Sequence, residues 1–278
     1  MNGNLAGIFD LKLILVTILI FVPLERLLPM HQSQKIFRPA WENDLIYLFF
    51  NRLLIKPGLG ILSAGVIIVA EKFMPRLLQA AVGAQPLLAQ VLEVIVLADL
   101  GFYVAHRSFH TIPWLWKFHQ IHHSIQELDW LAGYRVHPLD QILTKAASLA
   151  LILPLGFSEK AIVIYSLLYQ WQSILIHSNV CVGFGPLRWL IASPQFHHLH
   201  HSNNRFVHNK NFAGQLALLD ALFGTLHMPR GHVPTKYGID DAIPGTYISQ
   251  LLYPFESIRP IRRAGKLPRC ETRGVLPK

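Results

Sequence analysis

Two histidine-rich segments stand out in this chain for the chemistry that they can do. "HRSFHTIPWLWKFHQIHHS" (106–124) holds five imidazoles, and "FHHLHHS" (196–202) holds four more. His106 and His110 stand four residues apart. His119, His122 and His123 form HxxHH, and His197, His200 and His201 repeat that spacing. Residues three and four apart are neighbours on a helix surface, so each group can aim at least two ring nitrogens at one point. A chain of this histidine content would show about 0.04 HxxHH matches by chance, yet two occur. Neutral imidazole is a good ligand for zinc, copper, iron or nickel. Eight spaced histidines exceed what one ion uses, and a closed structural zinc site needs only four. The count therefore argues for two metals, and ligand type leaves iron and zinc both open. Surface or pH-sensing histidines are the plainer reading, and the repeated spacing weighs against it.

The elements that must carry these groups are apolar. Of 278 residues, 52% are hydrophobic and 15% charged, against roughly 25% charged in ordinary soluble domains. Mean hydropathy is +0.35. This is the balance of an integral membrane protein. Apolar stretches run over about 8–24, 45–70, 87–105, 142–157 and 161–176. The first, "LKLILVTILIFVPL", reads as a retained anchor rather than a signal peptide, because it lacks a basic leader and a small-residue cleavage site. Lys56-Pro57-Gly58 interrupts the second and predicts a kink or two half-helices in a shallow hairpin. The last two are short and predict a helical hairpin turning at Gly156 to Lys160. That hairpin enters the membrane after the first histidine groups and returns at His177, so all the clusters can meet on one face. If that face is cytoplasmic, Arg107, Lys117, Lys210 and the basic tail "RPIRRAGKLPR" (259–269) obey the positive-inside rule.

The net charge of +9 fits cytoplasmic loops against anionic lipid, and no nucleic-acid motif accompanies it. Cys181 and Cys270 form no zinc or redox pattern. Trp114 and Trp116 read as anchors at the headgroup level. From Gly183 onward the chain is less apolar and predicts a cap of short helices and loops. Asp99 and Tyr103 precede His106 by seven and three residues, on roughly its helical face. A carboxylate in an apolar helix needs a partner, and the other ring nitrogen of a metal-bound histidine is a natural one. Asp99 and Tyr103 are thus expected to support the ligands, with the lining of a watery gap between helices as the alternative.

"HRSFH", "HQIHHS", "HSN", "PQFHHLHHS" and "LFGT" resemble the fatty acid hydroxylase/sterol desaturase superfamily of membrane-bound non-haem di-iron enzymes, over about Asp99 to Thr225. The resemblance implies an all-α integral membrane bundle of about four spanning helices or hairpins under a histidine-rich cytosolic cap. By position it implies nine metal ligands: His106, His110, His119, His122, His123, His177, His197, His200 and His201. It makes His137, in "VHPLD", either a ligand or a donor to one, while His198 falls between the spaced ligands and reads as a supporting or solvated histidine. His31, His208, His227 and His232 lie outside the pattern. Two features depart from the family. Asn211-Phe212-Ala213 stands where Asn-Tyr-Gly is common, and Leu219-Asp220 where Trp-Asp is common.

The chain divides into anchor helices (1–86), a catalytic hydroxylase-like domain (87–230) and a basic tail (231–278). The resemblance implies two iron ions, with zinc as an alternative occupant, and O2-dependent hydroxylation or desaturation of a lipid C–H bond, hydroxylation being the commoner outcome. An unactivated C–H bond has no leaving group, so it needs a strong oxidant rather than acid–base chemistry. No CxxC cluster, haem segment or GxGxxG loop supplies electrons, which implies a separate electron-transfer protein or a pterin donor. Two rivals stand against this: a membrane zinc hydrolase, which would want a general base such as the Glu of the missing HExxH motif, and a non-catalytic metal-binding membrane protein. Substrate, regiochemistry and oligomeric state stay open.

Overall fold

The computed structural model describes residues 11–229 and 231–256, so the first residues of the expected anchor, the basic run 259–269 and Cys270 lie outside it. Among the described residues the regular structure is helical: α1 (Leu11–Leu27), α2 (Trp41–Phe73), α3 (Arg76–Gly83), α4 (Leu87–Thr111), α5 (Pro113–His123), α6 (Pro138–Ile152), α7 (Glu159–His177), α8 (Pro194–His200), α9 (Ala217–Leu222) and α10 (Tyr247–Glu256). Among the described residues, three helical segments are long and apolar enough to cross a membrane: Trp41–Phe73, Leu87–Thr111 and Pro138–Leu155, the last being α6 with the 3-10 turn that follows it. The 19-residue α7 follows α6 after the turn at Gly156 and brings the chain back to the histidines. Helix α4 packs against both α6 and α7, and α2 packs against α6.

The sequence reading of residues 45–70 needs one correction. Pro57 lies inside a single continuous helix of 33 residues, about 50 Å long, and no hairpin forms there. An interior proline removes one backbone hydrogen bond, which spanning helices tolerate when their surroundings absorb it. Elsewhere the local signals work as expected. Ser158 and Ser193 cap α7 and α8 by accepting hydrogen bonds from Ala161 N and Phe196 N. Prolines open α5, α6 and α8, where a missing N–H costs nothing.

These helices lock at both ends. At the far end, Gly156 adopts φ 83° and sits so close to α3 that a Cβ would lie 2.8 Å from Gln79. The Gln79 side chain donates to Pro154 O at 2.9 Å. Midway, α4 crosses α6 at Gly101, where a Cβ would meet Ala147 O at 2.5 Å. At the histidine end a buried ionic network ties α2 to the segment between α5 and α6. Arg38 donates to Asp44 (2.5 Å) and Asp129 (2.7 Å), and Arg135 also donates to Asp44. Glu25, at the end of α1, accepts from Trp130 N and Asn179 N. Helix α10 returns over the same end, where Gln250 accepts from Asn43 and Tyr47 of α2. Past Gly183 the chain forms short helices and 3-10 turns over the histidines, as expected of a cap.

The contact at Gly101 is backbone against backbone, so neighbouring side chains cannot yield space. Gly101→Val is expected to force α4 from α6 and lower stability by roughly 2 kcal/mol or more. The thermal midpoint of the purified chain in detergent, compared with that of Gly60→Ala in open space, measures this.

Candidate metal centre

The last two turns of α4 present His106 and His110 on one face, and α5 presents His119, His122 and His123 directly after it. His177 ends α7, while His197, His200 and His201 lie on α8 and its cap. These nine side chains meet in two adjacent groups. One holds His106, His110, His119, His123 and His200; the other holds His122, His177, His197 and His201. In each, one nitrogen per ring lies within 4.8 Å of the others. The groups touch: the His123 and His201 rings stack at 4.4 Å, and the His197 and His200 rings stack at 5.3 Å. Each HxxHH segment therefore serves both groups. Positions four apart share a helix face, while adjacent positions diverge by about 100°. His119 and His123 point one way and His122 the other, and the same split separates His197 and His201 from His200.

The hydrogen bonds settle the tautomers of five rings. His106 Nδ1 donates to Phe212 O (2.6 Å), His122 Nδ1 to Arg135 O (3.0 Å), His177 Nδ1 to Ser173 O (2.7 Å) and His200 Nδ1 to Lys210 O (2.7 Å). His119 Nδ1 meets the Asp140 carboxylate at 2.7 Å. These partners only accept, so the neutral rings carry their proton on Nδ1 and a lone pair on Nε2. Yet His106 Nε2 lies 3.0 Å from His119 Nε2, and His122 Nε2 lies 3.1 Å from His177 Nε2. No proton is available between either pair. Two lone pairs at that distance repel, unless a cation sits among them. Nitrogens at right angles around an ion about 2.1 Å away are themselves about 3.0 Å apart, which matches. Buried His110 Nε2 and His200 Nε2 have no other partner. The donor set fits metal in both groups.

Burial favours the neutral form of five of these rings. His122, His123, His197 and His201 are held well below the ordinary histidine range, first by desolvation and then by neighbouring imidazoles. His200 is pushed down to about 3, first by burial. Neutral imidazole is the form that binds metal.

The supporting residues act differently from expectation. Asp99 touches no imidazole. Its oxygens accept from Gly214 N (2.9 Å), Gln215 N (3.0 Å) and Leu216 N (2.7 Å), because the loop before α9 crosses α4 at that level. Asp220 holds the preceding turn through Phe212 N and Ala213 N. Together they place Phe212 O, the acceptor for His106. Tyr103 bonds Thr225 and Arg107, not a histidine ring. His137 lies outside the cluster: it caps α6 by accepting from Leu139 N, and its Nε2 bonds Leu251 O. His198 points away too, bonding the Tyr237 hydroxyl (2.8 Å) and Ser178 O (3.0 Å), and it is pushed down to about 3, first by burial. Trp114 is 54% exposed, in keeping with an anchor, but Trp116 packs against His110 and His123 at 5.2 and 5.5 Å.

Asp140 is the residue that sequence reasoning missed. The signal was there: a carboxylate in the first turn of an apolar helix, three residues after His137 in "VHPLD". Beneath the histidines, a cavity of about 70 Å³ reaches into the bundle. It touches His106 and His119 from one group and His122, His177 and His197 from the other, with Phe102, Tyr169 and Ile176 as apolar wall. Removing a carboxylate that orients a ligand ring typically weakens metal binding 10–100-fold. Asp140→Asn is expected to do so here, and metal per chain after equilibration against a chelator series checks it.

Residues 91–225 match the fatty acid hydroxylase family model. An ornithine lipid hydroxylase from Rhizobium tropici is 28% identical over 92% of this chain and 78% of its own length. Human alkylglycerol monooxygenase is 37% identical over 52% of this chain, though only 32% of the human protein is covered. A very-long-chain aldehyde decarbonylase from Oryza sativa subsp. indica is 28% identical over 50% of this chain and 53% of its own. No solved structure matches. With the family model spanning every helix that carries a clustered histidine, and with hydroxylases and monooxygenases among its relatives, this chain belongs to the fatty acid hydroxylase/sterol desaturase superfamily and is an oxidoreductase of that kind.

Proposed function

We propose that the chain is a membrane-bound, O2-dependent di-iron hydroxylase of a lipid C–H bond. Its nine clustered histidines would hold the two irons. The observation that carries this reading is the facing of proton-free Nε2 atoms in both groups, directly above a cavity that opens into apolar helices. Bound iron would supply the oxidising power for an unactivated C–H bond, which no side chain has. In the overall balance, O2, two electrons and two protons convert C–H to C–OH and water.

The protein's own part is placement. Phe212 O, Arg135 O, Ser173 O, Lys210 O and Asp140 hold five rings by their Nδ1–H, so their Nε2 atoms keep one direction. Phe102, Tyr169 and Ile176 offer an apolar wall to a carbon chain and exclude water from its reacting segment. A zinc hydrolase would need a carboxylate free to deprotonate water. Among the described residues lining the cavity the one acid is Asp140, already engaged by His119 and Thr144.

Electrons would come from a separate protein. On the opposite side, a polar basin lined by His110, Trp116, His123, His200, Arg205, Asp240 and Asp241 reaches the first histidine group from outside the bundle. That side would be cytoplasmic, given Arg107, Lys117 and Lys210 near the clustered histidines.

The purified chain should carry about two irons, and cells expressing it should accumulate a lipid heavier by one oxygen that requires O2. His200→Ala should reduce that product at least ~100-fold, read by comparative lipid mass spectrometry. A product formed without O2, or equally well by a zinc-loaded, iron-free chain, sinks the reading.

A further inference from the structure

Helix α6 turns four polar side chains toward the cavity: Asp140, Gln141, Thr144 and Lys145. Asp140 is held by His119 and by Thr144, whose hydroxyl donates to it at 3.2 Å. Lys145 has no such partner. Among the described residues it forms no hydrogen bond and no ion pair; the paired cations are Arg38, Arg135 and Arg205, beside the His119–Asp140 contact. The charge that acts on Lys145 is another cation, Arg52 of α2. Arg52 also acts on the Tyr134 hydroxyl, which accepts from Gln170 of α7 at 3.2 Å. Both cations belong to segments that read as membrane-spanning. A lysine near a helix end reaches for the aqueous interface. Lys145 stands at the middle of α6 and lines the cavity instead. Two cations among apolar helices, with the one acid that lines the cavity already engaged by His119 and Thr144, are costly unless something negative joins them.

We propose that Lys145, with Arg52 beside it, binds an anionic group of the lipid substrate, a carboxylate or a phosphate. This rests on reading the cavity as the place where a lipid is oxidised. Gln141, on the same wall, offers an amide N–H to the anion's oxygens. The apolar residues opposite face the carbon skeleton. A cavity of about 70 Å³ has room for a few methylene groups, so the rest of the lipid stays in the bilayer. The anchor also sets which carbon reacts. Asp140 touches His119, and Lys145 lies five residues further along α6, a rise of about 7.5 Å. An anion held there brings a carbon near the polar end of the lipid to the histidines, and leaves remote acyl carbons outside.

The test uses the iron-loaded full chain in detergent, with lipids competing for it two at a time and bound lipid read by native mass spectrometry. Oleate competes against oleyl alcohol, and dioleoyl phosphatidate against dioleoylglycerol. The wild-type chain is expected to prefer at least one anion about tenfold or more, and the pair that shows the preference tells carboxylate from phosphate. Lys145→Gln should abolish the preference and Lys145→Arg should keep it, with iron content unchanged in both. Should Lys145→Gln fail to fold, Arg52→Gln takes its place, and a severalfold loss of preference is expected. Equal binding of anionic and neutral lipids by the wild type overturns the proposal. So does an undiminished preference in whichever neutral variant folds. His200→Ala separates the two readings: it should lose iron while keeping the anion preference. Iron retained in His200→Ala speaks against the metal reading alone.

Discussion

Two pairs of imidazole nitrogens, each with a lone pair and no proton between them, sit about 3 Å apart in the interior of this protein. That arrangement is the constraint on which the rest depends. It is unfavourable for the protein alone. Relief by protonation is opposed by burial, since charged imidazolium in an apolar interior loses its hydration. Relief by turning the rings is opposed by the Nδ1–H bonds that hold them. A bound cation satisfies the nitrogens without disturbing either, so metal binding and completion of the fold are coupled.

The holding bonds end mostly on main-chain carbonyls, so the precision of the cluster is the precision of four stretches of backbone. Carboxylates set two of them from a distance. Asp99 and Asp220 together accept five backbone N–H groups from residues 212–216 and so place Phe212 O. Asp44 and Asp129, bridged by Arg38 and joined by Arg135, fix residues 129–135 and so place Arg135 O. A buried charge is tolerable only when fully paired, and breaking such a pair typically costs about 3–5 kcal/mol. The acids near this centre mostly shape the chain that carries the ligands. Asp140 alone among these five reaches a clustered ring directly.

The bundle adds a direction. The helices lock through Gly156 at one end, through Gly101 midway and through the Arg38–Asp44–Arg135 network at the other. The cavity lies between α4, α6 and α7 and touches His106, His119, His122, His177 and His197, while the polar basin touches His110, His123 and His200. The clustered histidines are therefore reached by two separate openings, one lined largely by the helices of the bundle and one polar.

The resemblance added His177; residue type and spacing by themselves picked out the other eight clustered histidines, the apolar stretches and the return of the chain through α6 and α7 to the starting side. These depend on local rules: helical periodicity, hydropathy and the punctuation of Pro and Gly. Local rules left open whether Pro57 would kink α2 or split it into a hairpin, because a proline's effect depends on what packs around it; the helix runs on through it. Nor did they reveal that Asp99 grips a loop more than a hundred residues away, that His137 faces away from the cluster, or that Asp140 faces into it. Only the tertiary structure decided how the ligands divide. Each HxxHH segment looks like one site in sequence, yet adjacent histidines diverge by about 100° on a helix, so each serves both groups once α4, α5, α7 and α8 converge.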